Sequence, residues 1–311
     1  MSISGTHVET VGATAGSGGG PAPHGVTGAP TESRWPLLPR LSALPRGGVS
    51  VTAFALVSVV ALLAGTLAPH APDAIVNLAP LHAPTRGAPF GTDEVRHDIF
   101  SRVLYGIRES WFSALAVIFG GVAVGVLIGG IAGAAGGLLD SLLMRITDLF
   151  LALPAPILAI AVVAALGPSL IHSLLALSIV WWPWYARIVR GEVHALSVRA
   201  HADAARLAGV SRARMLTRHL LPGALRPVMV TMSLDVGNLV LALAALSFIG
   251  LGAPAPSAEL GGMSARGLDY LLGHPWVPLF PAFGVALLAL IANLAGDGVA
   301  RVLDPRERKT R

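Results

Sequence analysis

Asp203, Ala204, Ala205 and Gly209, followed by His219, Leu221 and Pro222, form a polar island between long apolar segments. The chemistry open to such a set is mechanical rather than covalent. The chain has no cysteine and therefore no thiol nucleophile or disulfide. What the island offers is a short, stiff contact. Ala204, Ala205 and Ala208 stand at i, i+1 and i+4, so one side of a helix here is nearly bare and its backbone can approach a partner closely. Arg206, Arg212, Arg214 and Arg218 surround it, which keeps it in water and on the cytoplasmic side of a membrane. The pattern predicts a helix over 198–208, capped by Ser197 and ended by Gly209 in the left-handed conformation. Ser211 is expected to cap a second short helix, which Pro222 stops. Asp203 taken alone would also suit the first turn of any helix, through the dipole.

Other groups with chemical potential are scattered. Asp235, with Asn238 nearly one turn later, falls inside an apolar segment, where an acid is costly and serves either a transport pathway or a hydrogen bond to a neighbouring helix. Arg145 and Asp148, three apart, read as a local ion pair. His70, His82, His97, His172 and His274 lack both the i, i+4 spacing and the close His-x-His of a metal site, and read as solvated or capping residues. No G-x-x-x-x-G-K-[ST] occurs, so the chain does not bind ATP through a P-loop.

The elements that must position these residues are membrane helices. Of 311 residues, 54% are hydrophobic and 13% charged, with a mean hydropathy of +0.70, far from a soluble globular chain. A span needs about 20 apolar residues, and six segments qualify: 49–68, 111–134, 141–166, 169–189, 226–252 and 277–300. The fold class expected is therefore all-α, a polytopic membrane protein of about six transmembrane helices. Gly120, Gly121, Gly125, Gly129, Gly130 and Gly133 give the second segment small-residue faces for close packing. Seventeen of the 22 Lys and Arg fall on one side if both termini are cytoplasmic. Trp181, Trp182, Trp184 and Tyr185 then form an aromatic belt at the inner headgroups. The net charge of +5 raises nucleic-acid binding, but the basic residues form no stripe with interleaved aromatics.

The organisation that follows is a disordered, Gly/Pro/Ser/Thr-rich cytoplasmic tail over 1–48, a first helix over 49–68 that acts as an uncleaved anchor, and an extracytoplasmic loop over 69–110. A transmembrane domain over 111–303 follows, with a cytoplasmic loop at 190–225, and then a tail over 304–311.

The Asp203-Ala204-Ala205, Gly209 and His219-Leu220-Leu221-Pro222 pattern resembles the cytoplasmic loop signature of ATP-binding-cassette (ABC) importer permeases, with Asp for the usual Glu and His for the usual Ile. Phe90-Gly91-Thr92-Asp93, Asp98, Ser101-Arg102, Gly106 and Arg108 resemble a run found in dipeptide and oligopeptide permeases of the DppC and OppC type, with Arg96-His97 where that family has Gly-Arg. Ala245 to Gly252 (A-L-S-F-I-G-L-G), with Leu243 where an acid often stands, and Asn293-Leu294-x-Gly296-Asp297-Gly298 with Leu303-Asp304-Pro305-Arg306 extend the resemblance over about residues 88–306.

The resemblance implies a type I, MetI-like importer permease whose loop docks on an ATPase. It implies a homologous second permease, two ATPase subunits that bind ATP and Mg, an external solute-binding protein and surrounding lipid. No catalytic, metal or cofactor residue is expected in this chain. Dipeptides or oligopeptides are the expected cargo, with nickel, glutathione or another small solute as alternatives within the class. A secondary transporter, which would need several midplane charges, and a membrane enzyme, which would need converging acid, base or metal groups, are the alternatives outside it.

Overall fold

A computed structural model describes residues 46–303. The tails expected over 1–48 and 304–311 lie outside these residues, save that Arg46, Gly47 and Gly48 open the first helix. The described residues are all-helical, with no strand and only isolated bridges such as Ile75 to His97 and Thr92 to Asp98 before the longest helix. In order, the helices are α1 (Arg46–Leu62), α2 (Ala64–Leu67), α3 (Ile99–Ala135), α4 (Gly137–Ala152), α5 (Ala155–Leu166) and α6 (Leu170–Ser197). They continue with α7 (Ala200–Leu207), α8 (Arg212–Arg214), a π-helical segment (Met215–Leu220), α9 (Leu221–Phe248), α10 (Leu260–Gly267) and α11 (Trp276–Leu303).

Two of the expected spans change. The second begins at Ile99 rather than 111, because Asp98 caps it: the carboxylate accepts from the Phe100 and Ser101 amides at 3.2 and 3.1 Å. Its first turns carry buried Ser101 and Arg102, which apolar counting does not recognise. The third is two helices, α4 and α5, meeting at 89°. Pro154 lacks an N–H and pushes Leu153 out of the helical region, to φ −87°, ψ 138°. Among the described residues three helices can cross a membrane by length and apolarity, Ile99–Ala135, Arg212–Phe248 and Trp276–Gly298, and the bent pair would make a fourth. Six were expected. The apolar part of α1, Thr52–Leu62, is short, and α6 is long enough at 28 residues but less apolar, through its Trp181-to-Tyr185 run.

The glycines of α3 let α6 lie directly against it. A β-carbon on Gly125 would stand 2.5 Å from Tyr185 Cβ, one on Gly133 2.9 Å from the Arg190 carbonyl, and one on Gly129 would strike the Ala186 carbonyl. This is the small-residue packing that lipid favours, where apolar side chains gain nothing by leaving the tails. Tyr185 is consequently fully buried and Trp182 nearly so, while Trp184 is half-exposed. The Trp181-to-Tyr185 run is thus partly core rather than wholly an aromatic belt. Around it, Trp111, Ile118, Leu177, Leu239 and Leu243 form the main core. Asn293 and Gly296 of α11 fit the same way against α9, at Gly237 and the Ser233 carbonyl.

Candidate functional site

The island sits where α6 and α9 are joined. Ser197 ends α6 rather than capping the next helix, and α7 starts at Ala200 behind Arg199, without a side-chain cap. Arg206 replaces the missing cap. Its guanidinium donates to the Ser197 carbonyl and to Asp203 Oδ1, both at 2.7 Å, so it ties α7 back to the end of α6. Asp203 stands in the first turn of α7, where the helix dipole also favours it.

The far end of α7 closes as a Schellman motif. Gly209, at φ +77°, donates to the Arg206 carbonyl at 3.0 Å, and Val210 donates to the Ala205 carbonyl at 3.1 Å. Val210 and Ala205 also pack on one apolar cluster, formed by Tyr185, Val189, Val193, Ala202, Met215 and Leu220, which supplies the hydrophobic contact that accompanies this cap. One side of α7, Ala202 and Ala205, is thus committed to the chain's own core. Ala204, Ala208 and Leu207 face outward, Leu207 91% exposed. The expected bare face splits accordingly: Ala205 turns inward and Leu207 joins the outer side.

Pro222 does not stop a helix. It lies in the first turn of α9, where its missing N–H is no loss, and the chain enters α9 from the π segment without a break. Met215 and Leu220, five apart, are both buried, a spacing the wider π turn brings to one side. His219 and Pro222 are exposed. Leu221 is half-buried, opposite Gly130, where an added β-carbon would meet its Cδ2 at 3.4 Å. Ser211 stands at the start of α8 but makes no capping bond.

Outside α7, two charge pairs of the inner half join α4 to α6. Asp148 bonds to Arg187 of α6 and not to Arg145, and Arg190 grips Asp140 with both ends of its fork, at 2.9 and 2.7 Å. In mid-bundle the Tyr185 hydroxyl donates to Asp235 Oδ2 at 2.8 Å. Asn238 is exposed.

Sequence reasoning missed a buried polar knot at the opposite end. Arg102, 3% exposed, donates to the carbonyls of Pro72, Pro256 and Ser257 at 2.9, 2.6 and 2.9 Å, fastening α3 to the loop before α10. His97 Nδ1 lies 2.8 Å from Asp93 Oδ2. Glu259 is fully buried and caps α10 through the Gly261 and Gly262 amides, at 3.1 and 3.0 Å. Burial nonetheless outweighs these bonds and raises its pKa above the ordinary carboxylate value. The available signals were an acid two residues before a Gly-Gly pair and an Asp-x-x-Ser-Arg run. The five histidines keep apart: His70 is near Asp98, His82 and His172 bond to backbone carbonyls, and His274 meets Trp276 edge to face. Among the described residues no three His, Cys, Asp or Glu come together as metal ligands.

Residues 125–309, which contain this whole junction, match the family described as the binding-protein-dependent transport system inner membrane component. The chain belongs to this family. The permease is 42% identical over 240 residues to the probable D,D-dipeptide transport system permease protein DdpC of Escherichia coli K12, which covers 77% of this chain and 80% of that one. It is 40% identical over 226 residues to the dipeptide transport system permease protein DppC of Alkalihalophilus pseudofirmus, covering 73% and 74%. It is 35% identical over 251 residues to the nickel transport system permease protein NikC of Escherichia coli K12, covering 81% and 91%. An inward-facing structure of the MetNI methionine ABC transporter matches 65% of the permease and 96% of its own chain, with TM-score 0.53 and 19% identity, a likeness of fold. The permease is thus a membrane subunit of an ABC importer, a transport component rather than an enzyme, with hydrolysis left to separate chains.

Proposed function

We propose that this permease forms half of the translocation pathway for short peptides, with both termini in the cytoplasm, beside a homologous second permease. Two ATPase subunits that bind ATP and Mg drive it, and an external binding protein supplies it. α7 is the element that docks on the ATPase. The observation that carries the reading is the state of α7: capped at Gly209, tied to Ser197 through Arg206, and presenting Leu207, Ala204 and Ala208 exposed among the described residues. A small rigid body of this kind suits a groove. Asp203, Ala205 and the His219-Leu221-Pro222 run belong to the same coupling loop, with Ala205 and Leu221 packed on the cluster it shares with α9. A push on α7 reaches the end of α6 through Ser197 and the start of α9 through the π segment, and so tilts two helices at once. The peptide cargo rests on the names of relatives at 40–42% identity, and the orientation on the side that holds most of the Arg and Lys.

Purification of the permease from detergent-solubilised membranes, with identification of what accompanies it, tests the reading. A second permease and P-loop ATPases are expected, with the ATPases lost from Leu207→Glu and from Gly209→Pro. Retention of the ATPases by both variants would remove the docking role, and recovery of the permease alone would move the weight to the secondary transporter.

A further inference from the structure

The outer third of α3 carries a stripe that the junction at α7 does not explain. Tyr105, Arg108, Glu109 and Phe112 stand at i, i+3, i+4 and i+7, so they share one face of the helix over about 10 Å. That face lines an open cavity of about 590 Å³, closed on its other side by Asp73 and the Ser257–Ala258 loop. Beyond Glu109 no charged residue occurs until Asp140, which places this cavity at the outer lip of the apolar span.

Two of the three charged residues that line it, Arg108 and Glu109, are unsatisfied. Arg108 is exposed and Glu109 half-buried, and neither has a hydrogen-bond or ion-pair partner among the described residues. Asp73 is two-thirds exposed and only 3.7 Å from Arg102 Nη1. A half-buried, unpartnered carboxylate, with a free guanidinium one residue away and Asp73 across the same cavity, is an arrangement that lowers its energy by taking up a cation and an anion together.

We infer that this cavity is a peptide-end subsite, in which Glu109 and Asp73 receive the α-ammonium of a short peptide and Arg108 its carboxylate. The inference rests on the peptide reading above and names the site of this chain that would serve it. An extended dipeptide spans about 7 Å, and an open cavity of about 590 Å³ has room for it. Tyr105 and Phe112 then bound the apolar side chains without discriminating between them, as a carrier of varied peptides requires. Arg108 is suited to the carboxylate by its planar pair of donors, and a lysine there would offer only a point charge.

The test uses the full importer complex in proteoliposomes, with a benzophenone amino acid in place of Phe112 and a radiolabelled dipeptide, read both as uptake and as photocrosslinking during turnover. Crosslinking of the dipeptide to position 112 is expected, falling on the order of tenfold in Arg108→Gln and in Glu109→Gln, the scale of one charged contact. The fall should be specific to the end. A dipeptide amide should be insensitive to Arg108→Gln, and an N-acetylated dipeptide insensitive to Glu109→Gln. Glu109→Asp should recover part of the signal, which separates recognition from misfolding. Uptake by the wild type without crosslinking of the dipeptide at 112, crosslinking only to the neighbouring permease, or crosslinking as strong in both variants as in the wild type would overturn the subsite while leaving peptide import intact. A wild-type complex that takes up no dipeptide would overturn both.

Discussion

Gly125 of α3 and Tyr185 of α6 are packed so closely that a β-carbon on the glycine would lie 2.5 Å from the tyrosine's own. Tyr185 is fully buried there and reaches on to Asp235 of α9, so one contact fixes three helices. Gly125→Leu should therefore cost about 1–3 kcal/mol or more, through displaced backbone, and lower both the membrane yield and the melting temperature in detergent. Gly130→Ala, whose β-carbon would meet only Leu221 Cδ2 at 3.4 Å, should be nearly neutral. Equal behaviour of the two variants would count against the glycine contact as the determinant.

Gly209 at φ +77° is held by its own amide and that of Val210. Gly209→Ala keeps the donor and should cost about 1 kcal/mol of local strain, leaving uptake measurable. Gly209→Pro fixes φ near −65° and removes the N–H bonded to Arg206, so uptake should be lost while the protein stays in the membrane. Uptake and ATPase rates measured side by side check this, and coupled rates in the proline variant would contradict it.

Arg102 satisfies three carbonyls from two distant segments. Arg102→Met takes the donor from the Pro72 and Pro256 carbonyls, while the Ser257 carbonyl keeps Arg266 at 3.0 Å, and should destabilise the outer region by about 1–3 kcal/mol. Arg102→Lys should recover part of that, since an ammonium donates but lacks the fork. Limited proteolysis of the 69–98 loop, together with thermal unfolding, would read the order wild type, Lys, Met.

Glu259 sets a pH dependence. Its folded pKa is raised by burial, so as pH rises past the unfolded value the unfolded chain releases its proton first, and stability falls until the folded pKa is reached. Below the unfolded value both states hold the proton and the group contributes nothing. Melting temperatures taken from about pH 4 upward should decline more in the wild type than in Glu259→Gln, and parallel curves would refute the assignment.

The helical class and the Asp203–Gly209 element were legible because both rest on local rules: apolar run length, and a glycine where only a left-handed residue ends a helix. The break at Leu153–Pro154 was hidden because the residues on both sides are apolar and run length counts through a corner. Arg102 and Glu259 were missed for a related reason. Charges are assigned to water by composition, and only the carbonyls and amides that the folded loops bring to them make burial tolerable. Arg96 shows a local rule overridden. It adopts φ +70°, where the resembling family carries glycine, between Asp93 and His97, which bond to each other across the turn.

The 37 residues of α3 extend about 55 Å, against about 30 Å of hydrocarbon. One uninterrupted rod therefore reaches from the Arg108–Glu109 lip to the level of Gly130 and Leu221. A lever of that length needs no relay of side chains: a tilt of about 5° imposed near its cytoplasmic end carries the other end by about 5 Å, comparable with the span of the peptide it would hold or release.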